Sequence, residues 1–120
     1  MRALTLAATF LAFLLSVSGA SAHTTLASST PKGGSTLEQS PAVIEFAFHD
    51  AVRITSVVVM GEDKKERRLE FVAGDKPNSF KLPQPKLAIG HNDVQWKGMS
   101  KDGHVVSGSL AYTIKPAAAH

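Results

Sequence analysis

The sequence predicts an all-β fold, a sandwich of about seven short strands, and three observations predict it. Apolar and polar residues alternate with a period of two in segment after segment, turn-forming residues recur between those segments, and no stretch carries a convincing helical period. An extended chain points successive side chains to opposite faces, so this alternation buries one face of a sheet and leaves the other in water.

Taken in order, the first stretch differs in kind from the rest. Arg2 supplies a positive charge, residues 4–17 form a nearly unbroken apolar run, and Ala20-Ser21-Ala22 fits the small-x-small rule for signal peptidase. Residues 1–22 therefore read as a cleaved signal peptide, and residues 23–120 as one exported domain. A spanning helix needs about 20 apolar residues, and this run is shorter with small residues directly behind it. No membrane anchor is expected after cleavage.

Beyond the cleavage point, residues 24–29 read as an edge strand. Ile44, Phe46 and Phe48 alternate with Val43, Glu45 and Ala47, and residues 54–60 are rich in β-branched side chains. Leu69 and Phe71 flank Glu70, Phe80 and Leu82 flank Lys81, and Val94 and Trp96 alternate with Gln95 and Lys97. Leu110, Tyr112 and Ile114 close the series against Ser109, Ala111 and Thr113. Turn signals separate these runs at residues 31–35, 61–67, 74–78, 83–85, 90–93 and 102–103. The pattern is that of an immunoglobulin-like or cupredoxin-like sandwich. Trp96 and Tyr112, lying in alternating strands, read as core, and the mixed charges of residues 62–68 read as a solvated hairpin tip.

Composition narrows the function. At 43% hydrophobic and 19% charged, the chain is neither disordered nor wholly membrane-embedded. Without Arg2 the balance is only mildly basic, and no clustered basic stripe or aromatic interleaving suits nucleic acid. There is no cysteine, so the exported domain must be held by its core alone, and a blue-copper electron carrier, which needs a thiolate, is excluded. No G-x-S-x-G motif supports a serine hydrolase.

Two features carry chemistry. Cleavage after Ala22 makes His23 the first residue, with an α-amine and an imidazole able to chelate one ion. An unperturbed α-amine titrates at about pH 7.7 to 8.0, so a strongly binding metal displaces its proton near neutral pH. Cu(II) is the divalent ion that nitrogen-rich sites hold most tightly, and it accepts a tetragonal arrangement. The second feature is Asp102-Gly103-His104. In an extended segment Asp102 and His104 would share one face and could complete three nitrogens and one oxygen around the ion begun by His23. On spacing alone, a plain turn with an exposed or buried histidine is the simpler reading. His49 reads as exposed, His91 as a turn residue, and His120 as the end of a tail. A copper motif with histidine in third position is excluded, because that position is Thr25.

These residues carry a family resemblance. His23-Thr24-Thr25-Leu26-Ala27-Ser28-Ser29-Thr30-Pro31, followed by Gly34-Ser35 and Ile44-Glu45-Phe46-Ala47-Phe48, resembles the opening of CopC-type periplasmic copper-resistance proteins. Val94-Gln95-Trp96, Ser100, Asp102-Gly103-His104, Ser107-Gly108-Ser109 and Tyr112 are similar to that family's closing signature. The resemblance implies a Greek-key sandwich or barrel, a periplasmic location, and one Cu(II) per chain held by His23 (amine and ring), Asp102 and His104. It departs in places. Val105 stands where the family often has proline, Asp50 stands near an acidic position of the family, His49 is an additional imidazole, and Met60 and Met99 are too few for a separate Cu(I) site.

The expected function is therefore a Cu(II)-binding module for copper resistance, buffering or delivery to an inner-membrane importer, and not an enzyme. The enzyme alternative is the histidine brace of lytic polysaccharide monooxygenases. It is disfavoured because Asp102 would fill an equatorial position that oxygen chemistry needs, and because no flat aromatic surface is evident. A metal-free immunoglobulin-like module is the other alternative, since fold does not fix function.

Overall fold

Period-two alternation becomes burial in strand β3 (Val43–Phe48), where Ile44, Phe46 and Phe48 are buried and the residues between them face outward. The computed structural model describes residues 26–117. The expected signal peptide, His23 and His120 lie outside the described residues. The remaining strands are β1 (Leu26–Thr30), β2 (Thr36–Leu37), β4 (Val52–Met60), β5 (Glu66–Arg68), β6 (Val72–Ala73), β7 (Ser79–Pro83), β8 (Gly90–Ser100) and β9 (Val105–Ile114). They form a four-stranded sheet in the order β1-β3-β7-β6 and a five-stranded sheet in the order β2-β9-β8-β4-β5. Neighbours are antiparallel except β2 and β9. The all-β sandwich is the architecture the alternation predicts.

Nine strands stand among the described residues where about seven were expected, because three are very short and the segment around Glu70 behaves differently. Alternation predicts a strand through Leu69 and Phe71, yet they lie between β5 in one sheet and β6 in the other. Leu69 is buried and donates its N–H to the Val57 carbonyl at 2.9 Å, while Phe71 packs against the core. Both side chains turn inward as the alternation implies, but the backbone is crossing from sheet to sheet.

The turn expected at residues 90–93 is also corrected, since these residues begin β8. The cause is Asn92, which is buried. Its Nδ2 donates to the carbonyls of Ala88 (2.8 Å) and Gly90 (3.0 Å), and its Oδ1 accepts from the Ala88 N–H (3.1 Å). The side chain thus does the work of a turn while its backbone stays in the ladder opposite Tyr112. His91 is exposed, but on a strand and not in a turn.

The core is aromatic where the sheets meet. Phe48 and Trp96 pack edge to face with ring centroids 4.7 Å apart, and Phe46 and Phe80 extend the cluster. The indole lies over Gly108, where a Cβ would come within 2.6 Å of it. Tyr112 is buried too, and its hydroxyl donates to the Pro31 carbonyl at 2.6 Å, tying β9 to the loop that follows β1. Burial pushes the Tyr112 hydroxyl above its usual pKa, with a hydrogen bond to Ser29 acting in the opposite direction.

Two outcomes are expected. Asn92→Ala leaves three backbone groups without their partner and should cost about 2 kcal/mol in urea unfolding. A loss below about 0.5 kcal/mol would show that water replaces the amide fully. Because the folded pKa of Tyr112 is raised, its contribution is complete below the unfolded value of 10.0 and is lost as pH rises through the folded value. Tyr112→Phe should therefore flatten the alkaline fall in stability, measured by denaturation at about pH 9 to 11, at a cost of about 1 kcal/mol at neutral pH.

Candidate metal centre

The β8–β9 hairpin presents two of the three expected ligands at its tip. β8 ends at Ser100 and β9 begins at Val105, so residues 101–104 must reverse the chain. The Gly103 N–H donates to the Ser100 carbonyl at 2.9 Å, with Gly103 in the left-handed region at φ 84°. The Ser100 N–H donates to the His104 carbonyl at 2.9 Å, and the His104 N–H donates to Ser100 Oγ at 3.2 Å. Ser100 therefore anchors the tip through backbone and side chain together. The sequence marks this serine only as part of the family's closing signature, although a serine ahead of Asp-Gly is also a recognisable turn signal.

Asp102 and His104 are both exposed on this tip. In an extended segment they would share a face, but the chain makes a tight turn here, so strand alternation does not govern their side chains. Neither side chain makes a hydrogen bond or ion pair with another described residue, which leaves their lone pairs available to a ligand. Among the described residues no three His, Cys, Asp or Glu side chains cluster closely enough to hold a metal ion. Asp102 and His104 are therefore two of the three expected donors, and His23, the third, lies outside the described residues.

Strand register shows what else shares this end of the sandwich. Leu26 pairs with Phe48, Val52 pairs with Ser100, and Met99 pairs with Val105. The start of β1, the connection through His49 and Asp50, and the hairpin tip are therefore all at one end. His49 and Asp50 are exposed there. His91 is at the other end of β8, its Nε2 3.1 Å from Asp93 Oδ1. The two methionines of the domain are also apart. Met60 pairs with Asp93 and Met99 with Arg53, which places them at opposite ends of the ladder, roughly 20 Å apart at strand rise.

Comparison with known proteins agrees with this architecture. The CopC domain model matches residues 26–115, from the first residue of β1 to the residue after β9. Copper resistance protein C of Pseudomonas syringae pv. tomato is 28% identical over 116 residues, covering 88% of this chain and 91% of that protein. Among solved structures, CopC from Methylosinus trichosporium OB3b superposes with a TM-score of 0.67 at 25% identity, covering 82% of this chain and 99% of that one. PcoC, a methionine-rich copper resistance protein from Escherichia coli, shares the fold with a TM-score of 0.61 at 24% identity, covering 78% and 99% respectively. With the family match spanning every strand of both sheets, this chain belongs to the CopC family of copper resistance proteins.

Proposed function

We propose that the protein is exported to the periplasm, loses residues 1–22, and holds one Cu(II) through the amine and imidazole of His23, the Asp102 carboxylate and the His104 imidazole. The observation that carries this reading is the unengaged Asp102 and His104 pair, exposed at the end of the sandwich where the chain enters β1. His23 is three residues from Leu26, so covalent geometry keeps it within about 11 Å of the start of β1. Packed sheets are about 10 Å apart, so a residue with that reach can serve a site between them.

The donor set suits the ion. Three nitrogens and one carboxylate oxygen provide a tetragonal field, and Cu(II) heads the divalent series for such ligands. The carboxylate removes one unit of the ion's charge. Exposure of both described ligands lets copper enter and leave without opening the core, as resistance, buffering or delivery to an inner-membrane importer requires. The Pseudomonas relative and PcoC are named for copper resistance and not for a catalysed reaction, which supports a binding protein over a histidine-brace oxygenase. PcoC is described as methionine rich, whereas this chain has three methionines in all, Met60 and Met99 standing apart.

A Cu(II) titration of protein beginning at His23, beside a version with one additional residue in front of it, tests the reading directly. The added residue turns the amine into an amide, so affinity should fall roughly hundredfold or more and the nitrogen-rich paramagnetic resonance spectrum should change. Equal affinity in the two versions would remove His23 from the site. Competition with a chelator should also show His104→Ala weakening binding strongly, with His49→Ala staying within about twofold of the parent. The opposite ranking would move the site to the β3–β4 connection.

A further inference from the structure

Next to the hairpin tip, the five-stranded sheet is deformed. The β4–β8 register slips between Ile54 and Ser56, and the Thr55 hydroxyl at this bulge donates to the Lys97 carbonyl at 3.2 Å. Gly98 allows the close approach, since a Cβ there would lie 2.7 Å from the Arg53 carbonyl oxygen. A bulge bends its strand and increases the local twist. Beyond it lies a hollow of about 330 Å³ lined by Ala51, Val52, Arg53, Met99, Ser100 and Lys101.

The lining of this hollow is unlike the rest of the outer face. Further along the sheet the outward side chains are mostly polar, among them Ser56, Gln95, Ser107 and Ser109. Here the outward side chains of Ala51 and Met99, with the edge of the buried Val52 behind them, make an apolar lining, and Val105, opposite Met99 on the next strand, is 67% exposed. Arg53 and Lys101 flank it, both exposed and neither paired with a carboxylate among the described residues. Lys97 is exposed one outward position from Met99 and is likewise unpaired among the described residues. An apolar recess between unpaired cations has the composition of a recognition surface.

We propose that this hollow docks a segment of a partner protein carrying carboxylates beside an apolar side chain, and so holds that partner beside the hairpin tip that carries Asp102 and His104. The carboxylates answer Arg53 and Lys101, and the apolar side chain fills the recess over Met99. A protein side chain can enter such a recess, whereas a flat lipid headgroup surface meets only its rim. Lys101 adjoins Asp102 in the chain, so a docked partner sits beside the copper ligands. The role in copper exchange rests on the site proposed above, but the docking itself is testable on metal-free protein.

The test is a nitrogen-15 NMR titration of the metal-free protein with a short synthetic peptide alternating aspartate and leucine, beside a lysine–leucine peptide and phosphatidylglycerol vesicles. Shifts should be confined to residues 51–53, 97–101 and 105, appear with the acidic peptide, and weaken as salt rises. Arg53→Glu combined with Lys101→Glu should weaken peptide binding about tenfold or more, with unshifted resonances elsewhere reporting an intact fold. Val105→Ser, which leaves the charges in place, should also weaken it. No shifts at the hollow, equal shifts with the lysine peptide, or shifts produced by vesicles alone would overturn the proposal. None of these outcomes depends on whether copper binds.

Discussion

Packing of the Phe48 ring against the Trp96 indole joins the two sheets. Phe48 ends β3 in the four-stranded sheet, and Trp96 sits in the middle of β8 in the five-stranded one. The contact can form because Gly108, paired with Trp96 on β9, has no side chain to displace the indole. With no disulfide available, such apolar contacts hold the sheets together. They also govern the candidate site. His49 follows Phe48 directly, β1 pairs alongside it, and the β8–β9 hairpin carries Asp102 and His104, so anchoring these strands to one another keeps their ends together.

On that base, local hydrogen bonding shapes the hairpin tip that carries Asp102 and His104. Ser100 closes the hairpin tip with three hydrogen bonds, and none of them uses the Asp102 or His104 side chain. The backbone is thereby satisfied while the donor atoms stay free, which is the arrangement a metal site built on a loop requires. Both side chains are exposed, so an ion held there as proposed could be reached by a competing ligand.

The same end of the molecule holds the hollow bounded by Arg53 and Lys101. Its apolar lining lies beside a bulge, a departure from regular pairing, and the mostly polar remainder of the outer face shows that exposing apolar side chains is not the rule for this sheet. Copper ligands and partner surface adjoining one another would let a transient complex form over the ion, with salt-sensitive attraction between charged surfaces favouring quick exchange.

Most of the fold was legible in the chain because each strand's alternation reports its own burial. Ile44, Phe46 and Phe48, or Leu110, Tyr112 and Ile114, could be assigned to the core without knowing their neighbours, and their burial follows. The candidate ligands could be named because His23 depends on a cleavage signal and Asp102-Gly103-His104 on a short motif, both local in sequence. What remained illegible was non-local. Leu69 and Phe71 alternate like strand residues, and only the positions of β5 and β6 in different sheets reveal a crossover. Asn92 resembles a turn residue, and only burial against Ala88 and Gly90 lets its side chain replace the turn. The sequence by itself determined which faces are apolar and which donors exist, since periodicity and residue chemistry are local properties. The tertiary structure decided that the chain entry, the His49 connection and the Asp102–His104 tip share one end of the sandwich, because strand order and register are set by pairing between distant segments.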